Sequence, residues 1–138
     1  MDKALNYMAL ARKAGRIELG EEPVGAAARS QHARLVIVAQ DAGDHTWRRA
    51  KSFVTGTEQL CIKVPFTKDQ LGQAIGRTSL ALAAFTDPAL ALAFVKALEH
   101  ADEEVIRQLE VRAQRIAKRQ KEAKAQQRNR RFGRKRNP

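Results

Sequence analysis

Gly15 and Gly20 frame the stretch G-R-I-E-L-G-E-E-P-V, a glycine spacing that in a nucleotide-binding loop lets backbone amides close on phosphates. That chemistry needs a lysine and a serine or threonine directly after the second glycine. Glu21 and Glu22 stand there instead, and their charge would repel a triphosphate. Acids in a first helical turn are also favoured by the helix dipole whatever the function. Other reactive side chains are sparse. His32, His45 and His100 lack any mutual metal-ligand spacing, and no H-E-x-x-H, Cys/His pair or G-x-S-x-G occurs. Asp41 and Asp44 follow an apolar run, where α/β enzymes keep active carboxylates, but a turn and a helix cap explain them more simply. Cys61, the only cysteine, sits in the apolar stretch from Leu60 to Val64 and reads as a buried, inert thiol. No catalytic residue, metal or cofactor is expected.

Charge is the stronger signal. The 138-residue chain has a formal charge of +11, yet residues 1 to 106 hold 13 Lys/Arg and 13 Asp/Glu, whereas residues 107 to 138 hold 13 Lys/Arg against only Glu110 and Glu122. A neutral body thus carries a basic tail, and only the tail attracts phosphates strongly without regard to sequence, through counterion release. Lys118, Arg119, Arg128, Arg130, Arg131, Arg134, Lys135 and Arg136 are its candidate nucleic-acid contacts, with Phe132 and Gly133 among them suiting base stacking and close approach. The region from Arg128 to Arg136 has no apolar face, which argues against a membrane surface. No apolar run approaches the roughly 20 residues that span a bilayer, and the N-terminus lacks a signal-peptide core. A cytoplasmic location follows as the expectation.

These residues need elements to hold them. Leu5, Met8 and Ala9 predict a first helix over 2–14, ended by Gly15. A short second helix covers Glu21 to Ser30, with Pro23 in its first turn, where a missing N–H costs little. Ala33 to Ala39, Leu60 to Val64 and Leu80 to Thr86 are short apolar runs with the character of strands covered on both faces. Between them lie a helix from Asp44 to about Val54, anchored by Trp47, and one from Lys68 to about Ile75. The second opens with Thr67 and Gln70 at capping-box spacing. Asp87-Pro88 starts a further helix running to about His100. The alternation predicts an α/β/α sandwich around a mainly parallel or mixed sheet over residues 1–100. Residues 101–138 form a basic helical extension with a thin apolar stripe (Val105, Leu109, Ala113, Ile116), fraying into a disordered tail.

The segments A-R-K-A-G-R (11 to 16), G-E-E-P-V (20 to 24), A-R-L-V-I-V-A-Q-D-A (33 to 42), C-I-K-V-P (61 to 65), T-K-D-Q-L-G-Q-A-I-G-R (67 to 77) and A-F-T-D (84 to 87), in this order and spacing, resemble the bacterial YlxQ-like branch of the ribosomal L-seven-Ae/L-thirty-e proteins. The resemblance covers roughly residues 4 to 97 and leaves the basic extension outside.

It implies a three-layer α/β/α fold with a four-stranded mixed sheet, and binding of RNA, typically a kink-turn. The family's contact surface maps onto Gly20, Glu21 and Glu22 at the start of the second helix, Gln40 after the following strand, and Arg77, Thr78 and Ser79 in the loop before the last strand. A helix N-terminus can approach RNA backbone closely at Gly20, and a side-chain acceptor can read exposed purine edges. Where kink-turn readers commonly carry Asn, then Glu, then Lys three residues further on, this chain has Glu22, Pro23 and Ala26. The expectation is a monomeric RNA-binding protein, with a kink-turn or ribosomal RNA as partner and the ribosome as its setting. The alternative is a protein-interaction module tethered to nucleic acid by its tail.

Overall fold

The computed structural model describes residues 2–136 of the chain, with side chains through Arg130. The elements run α1 (Lys3–Lys13), β1 (Ile17–Leu19), α2 (Glu21–Arg29), β2 (Leu35–Val38), α3 (Asp44–Val54), β3 (Leu60–Lys63), α4 (Lys68–Ala74), β4 (Leu82–Phe85), α5 (Pro88–Lys96) and α6 (Glu103–Arg136). The strands form one mixed sheet in the order β1-β4-β2-β3, with β2 and β3 parallel and the other two pairings antiparallel. The fold is the expected α/β sandwich. Strand β1, three residues in G-R-I-E-L, was not legible in the residue pattern and entered only through the four-stranded sheet that the family resemblance implies.

Strand periodicity divides the core. Leu35 and Ile37 of β2, with Ala83 and Phe85 of β4, face a cluster built with Met8 of α1, Leu71 of α4 and Phe94 of α5. The alternate residues Val36, Val38, Leu82 and Ala84 face Val24 and Ala28 of α2 and Ala50 of α3. Successive side chains on a strand point to opposite faces, so these all-buried strands need apolar residues at every position. The Phe85 and Phe94 rings lie 5.1 Å apart between centroids, in a tilted arrangement.

Local chemistry sets the boundaries. Asp2 accepts from the amide of Ala4 and Asp87 from that of Ala89, so each caps its helix. Thr67 and Gln70 make the full capping box. The cap of α3 is Gly43, with no side-chain bond, and Asp44 is the first helical residue instead. Asp41 caps across the fold: its Oδ1 accepts from the amide of Lys68 at 2.8 Å, tying the end of β2 to the start of α4. Gln59 is the buried polar residue of the body. Its Oε1 accepts from the Ala33 amide at 2.9 Å and its Nε2 donates to the Ala28 carbonyl at 3.0 Å, pinning the α2–β2 connection to the start of β3.

Helix α6 opens with Asp102 accepting from the amides of Glu104 and Val105. Val105 and Leu109 are buried in the core, and Lys96 of α5 pairs with Glu110 at 3.2 Å. The apolar stripe read from the sequence therefore docks the first turns. From Ala117 to Arg130 every residue is exposed while the helix continues, consistent with a run dominated by the good helix formers Ala, Lys, Arg, Gln and Glu. Among the described residues, no helix is long and apolar enough to cross a membrane.

Candidate functional site

Gly20 is the N-cap of α2, with φ 94° and ψ 167°. A Cβ there would meet only Pro23 Cδ, at 4.0 Å, so space does not demand glycine. The backbone does, because L-residues rarely adopt that φ. By helix geometry the amides of Glu21 and Glu22 have no acceptor within α2, and Pro23 has no N–H to leave open. The start of the helix thus presents two outward donors beneath two exposed carboxylates.

Two backbone hydrogen bonds bring the other predicted segments to the same place. The Gly20 amide donates to Leu82 O at 3.1 Å, and the Ala39 amide donates to Ala81 O at 2.9 Å. The approach to β4 is therefore flanked by the start of α2 on one side and the end of β2, with Gln40 after it, on the other. Gln40 is itself held by its amide donating to Phe66 O at 2.9 Å, and its side chain is exposed. Arg77, Thr78 and Ser79 are exposed in the loop leading into β4 and make no side-chain hydrogen bonds among the described residues. All three segments share one end of the sheet.

Gly72 positions that loop, a role not apparent in the residue pattern. A Cβ on Gly72 would lie 2.7 Å from Ser79 N and 2.8 Å from Arg77 O, both backbone atoms that cannot swing aside. Only glycine lets α4 and the 77–79 loop approach so closely. The signal lay in the string Q-L-G-Q-A-I-G-R, where an interior helical glycine marks close packing.

The acids and their surroundings are also arranged. Arg49 of α3 donates from Nε to Glu21 Oε1 at 2.9 Å, and its guanidinium carbon lies 5.0 Å from the Phe53 ring centroid. Glu22 makes no hydrogen bond among the described side chains. A groove of about 640 Å³ runs beside it, lined by Glu21, Glu22, Ala26, Arg29, Arg49 and Phe53. Arg29 and Arg49 were not among the predicted contacts: Arg49 lies 28 residues from Glu21 in sequence and meets it only through the packing of α2 on α3, which also sets Arg29 and Arg49 along one groove. Nearby, Lys51 and Lys63 each place Nζ 5.2 Å from the Trp47 ring centroid, on a half-buried indole.

The basic extension is a separate surface. Lys118, Arg119, Arg128 and Arg130 are exposed along α6, and Arg119 also lines a cavity shared with the body. Arg131, Arg134, Lys135 and Arg136 fall in the helix, but their side chains lie outside the described residues. Among the described residues no cluster of His, Cys, Asp or Glu could hold a metal ion. Cys61 is half-buried rather than fully buried, and burial pushes its thiol up to about 12, with the Lys51 charge pulling weakly the other way.

None of the known protein-family models matches the chain. A curated relative, RNA-binding protein YlxQ of Enterococcus faecium, is 35% identical over 75 residues, which are 54% of this chain and 72% of that protein. A Bacillus halodurans protein of unknown function superposes with a TM-score of 0.66 at 25% identity, over 72% of this chain and 100% of its own. The Giardia lamblia 15.5kD RNA binding protein superposes with a TM-score of 0.54 over 79% of this chain and 86% of its own. At 18% identity it shares the fold alone. With the ordered segments, the observed fold and the YlxQ relative in agreement, the chain belongs to the YlxQ-like branch of the ribosomal L-seven-Ae/L-thirty-e proteins.

Proposed function

We propose that this chain binds structured RNA, a kink-turn or a ribosomal RNA element, at the sheet end formed by Gly20, Glu21, Glu22, Gln40, Arg77, Thr78 and Ser79. The exposed cations of α6 add salt-dependent affinity. The observation that carries this reading is the pair of hydrogen bonds from Gly20 to Leu82 and from Ala39 to Ala81, which gathers three distant segments around one exposed edge. The relative's name, RNA-binding protein YlxQ, supports the same partner class.

The chemistry suits a distorted base step better than a plain duplex. Open amides at a glycine-led helix start can meet a backbone phosphate, while the Glu22 carboxylate accepts from purine amino or imino groups that only an irregular helix exposes. Pro23 and Ala26 neither read bases nor neutralise phosphate. Arg29 and Arg49, in the groove beside Ala26, supply the cationic character that Ala26 does not. As a cytoplasmic monomer associated with ribosomal RNA, the protein would use this edge for selectivity and α6 for retention.

Binding of the full chain to a kink-turn and to a plain duplex of the same length tests the proposal. Preference for the kink-turn, reduced by substituting Gly20 or Arg77, is the expected result. Equal affinity of the intact protein for both RNAs would end the claim of structured recognition. Co-sedimentation with ribosomal subunits examines the ribosomal setting.

A further inference from the structure

At the opposite end of the sheet, where β2 and β3 begin, four arginines converge on a cleft of about 290 Å³ between the body and α6. Arg34 comes from the approach to β2, and Arg112, Arg115 and Arg119 come from α6, with Glu58 as the one carboxylate among them. The three helix positions follow the i, i+3, i+7 spacing of a single face, so α6 turns a row of guanidinium groups toward the body. Arg34 is fixed by its amide, which donates to Phe85 O at 2.8 Å. Its side-chain Nε is buried with no hydrogen-bond acceptor among the described residues. Glu58 cannot satisfy the cluster. It reaches only Arg115, at 3.8 Å, and its side chain is 80% exposed, a geometry worth little as an ion pair.

Buried donors are normally paired, and clustered like charges repel unless an anion lies between them. The Arg112 guanidinium shows the same imbalance. Its pKa is lowered chiefly by burial; Glu58 raises it, and the Arg34 and Arg115 charges lower it further. A planar guanidinium fork matches phosphate oxygens in two-point contact.

We propose that this cleft is a phosphate-binding site, with Arg34 and Arg112 as its principal ligands and Arg115 and Arg119 closing its outer side. The group bound is a phosphate, either free or as a phosphodiester of an RNA strand. Arg34 lies before the first residue of β2 and Gln40 beyond its end, so the site stands roughly 13 Å or more from the Gly20 edge at about 3.3 Å per strand residue. It does not depend on recognition at that edge, and either site can fail alone.

The arginine Nε–Hε resonances of the full chain, recorded by NMR, provide the test. The chain is titrated with sodium phosphate, with sodium chloride at matched ionic strength, and with a short oligouridylate. Saturable shifts of the Arg34 and Arg112 signals with phosphate or oligouridylate, absent with chloride, are expected. A response to both ligands or to oligouridylate alone makes an RNA strand the source, and a response to phosphate alone makes it a free anion. Arg112→Gln and Arg34→Gln should each weaken binding about tenfold through removal of a charge-assisted hydrogen bond, with Arg48→Gln, outside the cleft, as control. Because Arg34→Gln could affect folding, the half-exposed Arg112 carries the comparison if that variant unfolds. Absence of shifts with both phosphate ligands, equal shifts with chloride, or equal weakening by Arg48→Gln would overturn the assignment.

Discussion

Arg49 and Glu21 join α3 to the first turn of α2 through a 2.9 Å ion pair in which each side chain remains 51% exposed. Such pairs contribute little to stability, about 0–1 kcal/mol. The bridge instead orients one of the two acids at the proposed RNA edge and holds a guanidinium over the adjoining groove. Arg49→Gln should therefore change unfolding free energy by less than about 1 kcal/mol while weakening RNA binding several-fold. Glu21→Gln, which frees Arg49, should leave affinity equal or higher. Denaturant unfolding and fluorescence anisotropy on the same samples check both, and a large loss of stability with unchanged affinity would assign Arg49 to the fold alone.

Gly72→Ala should be disproportionately harmful for one added methyl group. The new Cβ would press on the backbone at Arg77 and Ser79, so a destabilisation of about 1–3 kcal/mol is expected from overpacking. RNA selectivity should fall with it, because the 77–79 loop must move. Chemical denaturation gives the first quantity, and the ratio of kink-turn to duplex affinity gives the second.

Cys61 should resist alkylation in the native protein. Burial raises its thiol from the ordinary 9.0 to about 12, and the thiolate is the reactive form. At pH 8 iodoacetamide labelling should be slow in buffer and fast in denaturant. Between about pH 9 and pH 12 the unfolded thiol loses its proton while the folded one keeps it, so the folded state binds more protons and stability falls as pH rises. Cys61→Ser should flatten that part of the stability profile.

Truncation after Ala117 should keep the body intact, whereas truncation before Leu109 removes a fully buried core residue. The chain ending at Ala117 lacks ten Lys/Arg and only Glu122 among the acids. Its thermal unfolding should remain cooperative, while the slope of log affinity against log salt should decrease by roughly 0.7–0.9 for each phosphate no longer neutralised. An unchanged slope would show that the tail takes no part in binding.

Much of this protein was decided by local chemistry visible in the chain. Thr67 and Gln70 announce a capping box, Asp87-Pro88 a helix start, and all-apolar runs such as L-V-I-V a strand covered on both faces. These signals arise within a few residues, so the alternation of elements and the division into neutral body and basic extension could be read directly. Other features depend on residues that meet only after folding. Strand β1 is too short to show a period and exists because Ile17 to Leu19 pair with β4. Gly72 matters because of a loop five to seven residues later that turns back onto it. Arg49 reaches Glu21 across two helices, and Arg34 meets Arg112 only because Val105 and Leu109 dock α6 against the body. Residue types and local spacing determined the elements; the packing of distant elements decided which charges face one another, because electrostatic and steric contacts depend on distance in space rather than along the chain.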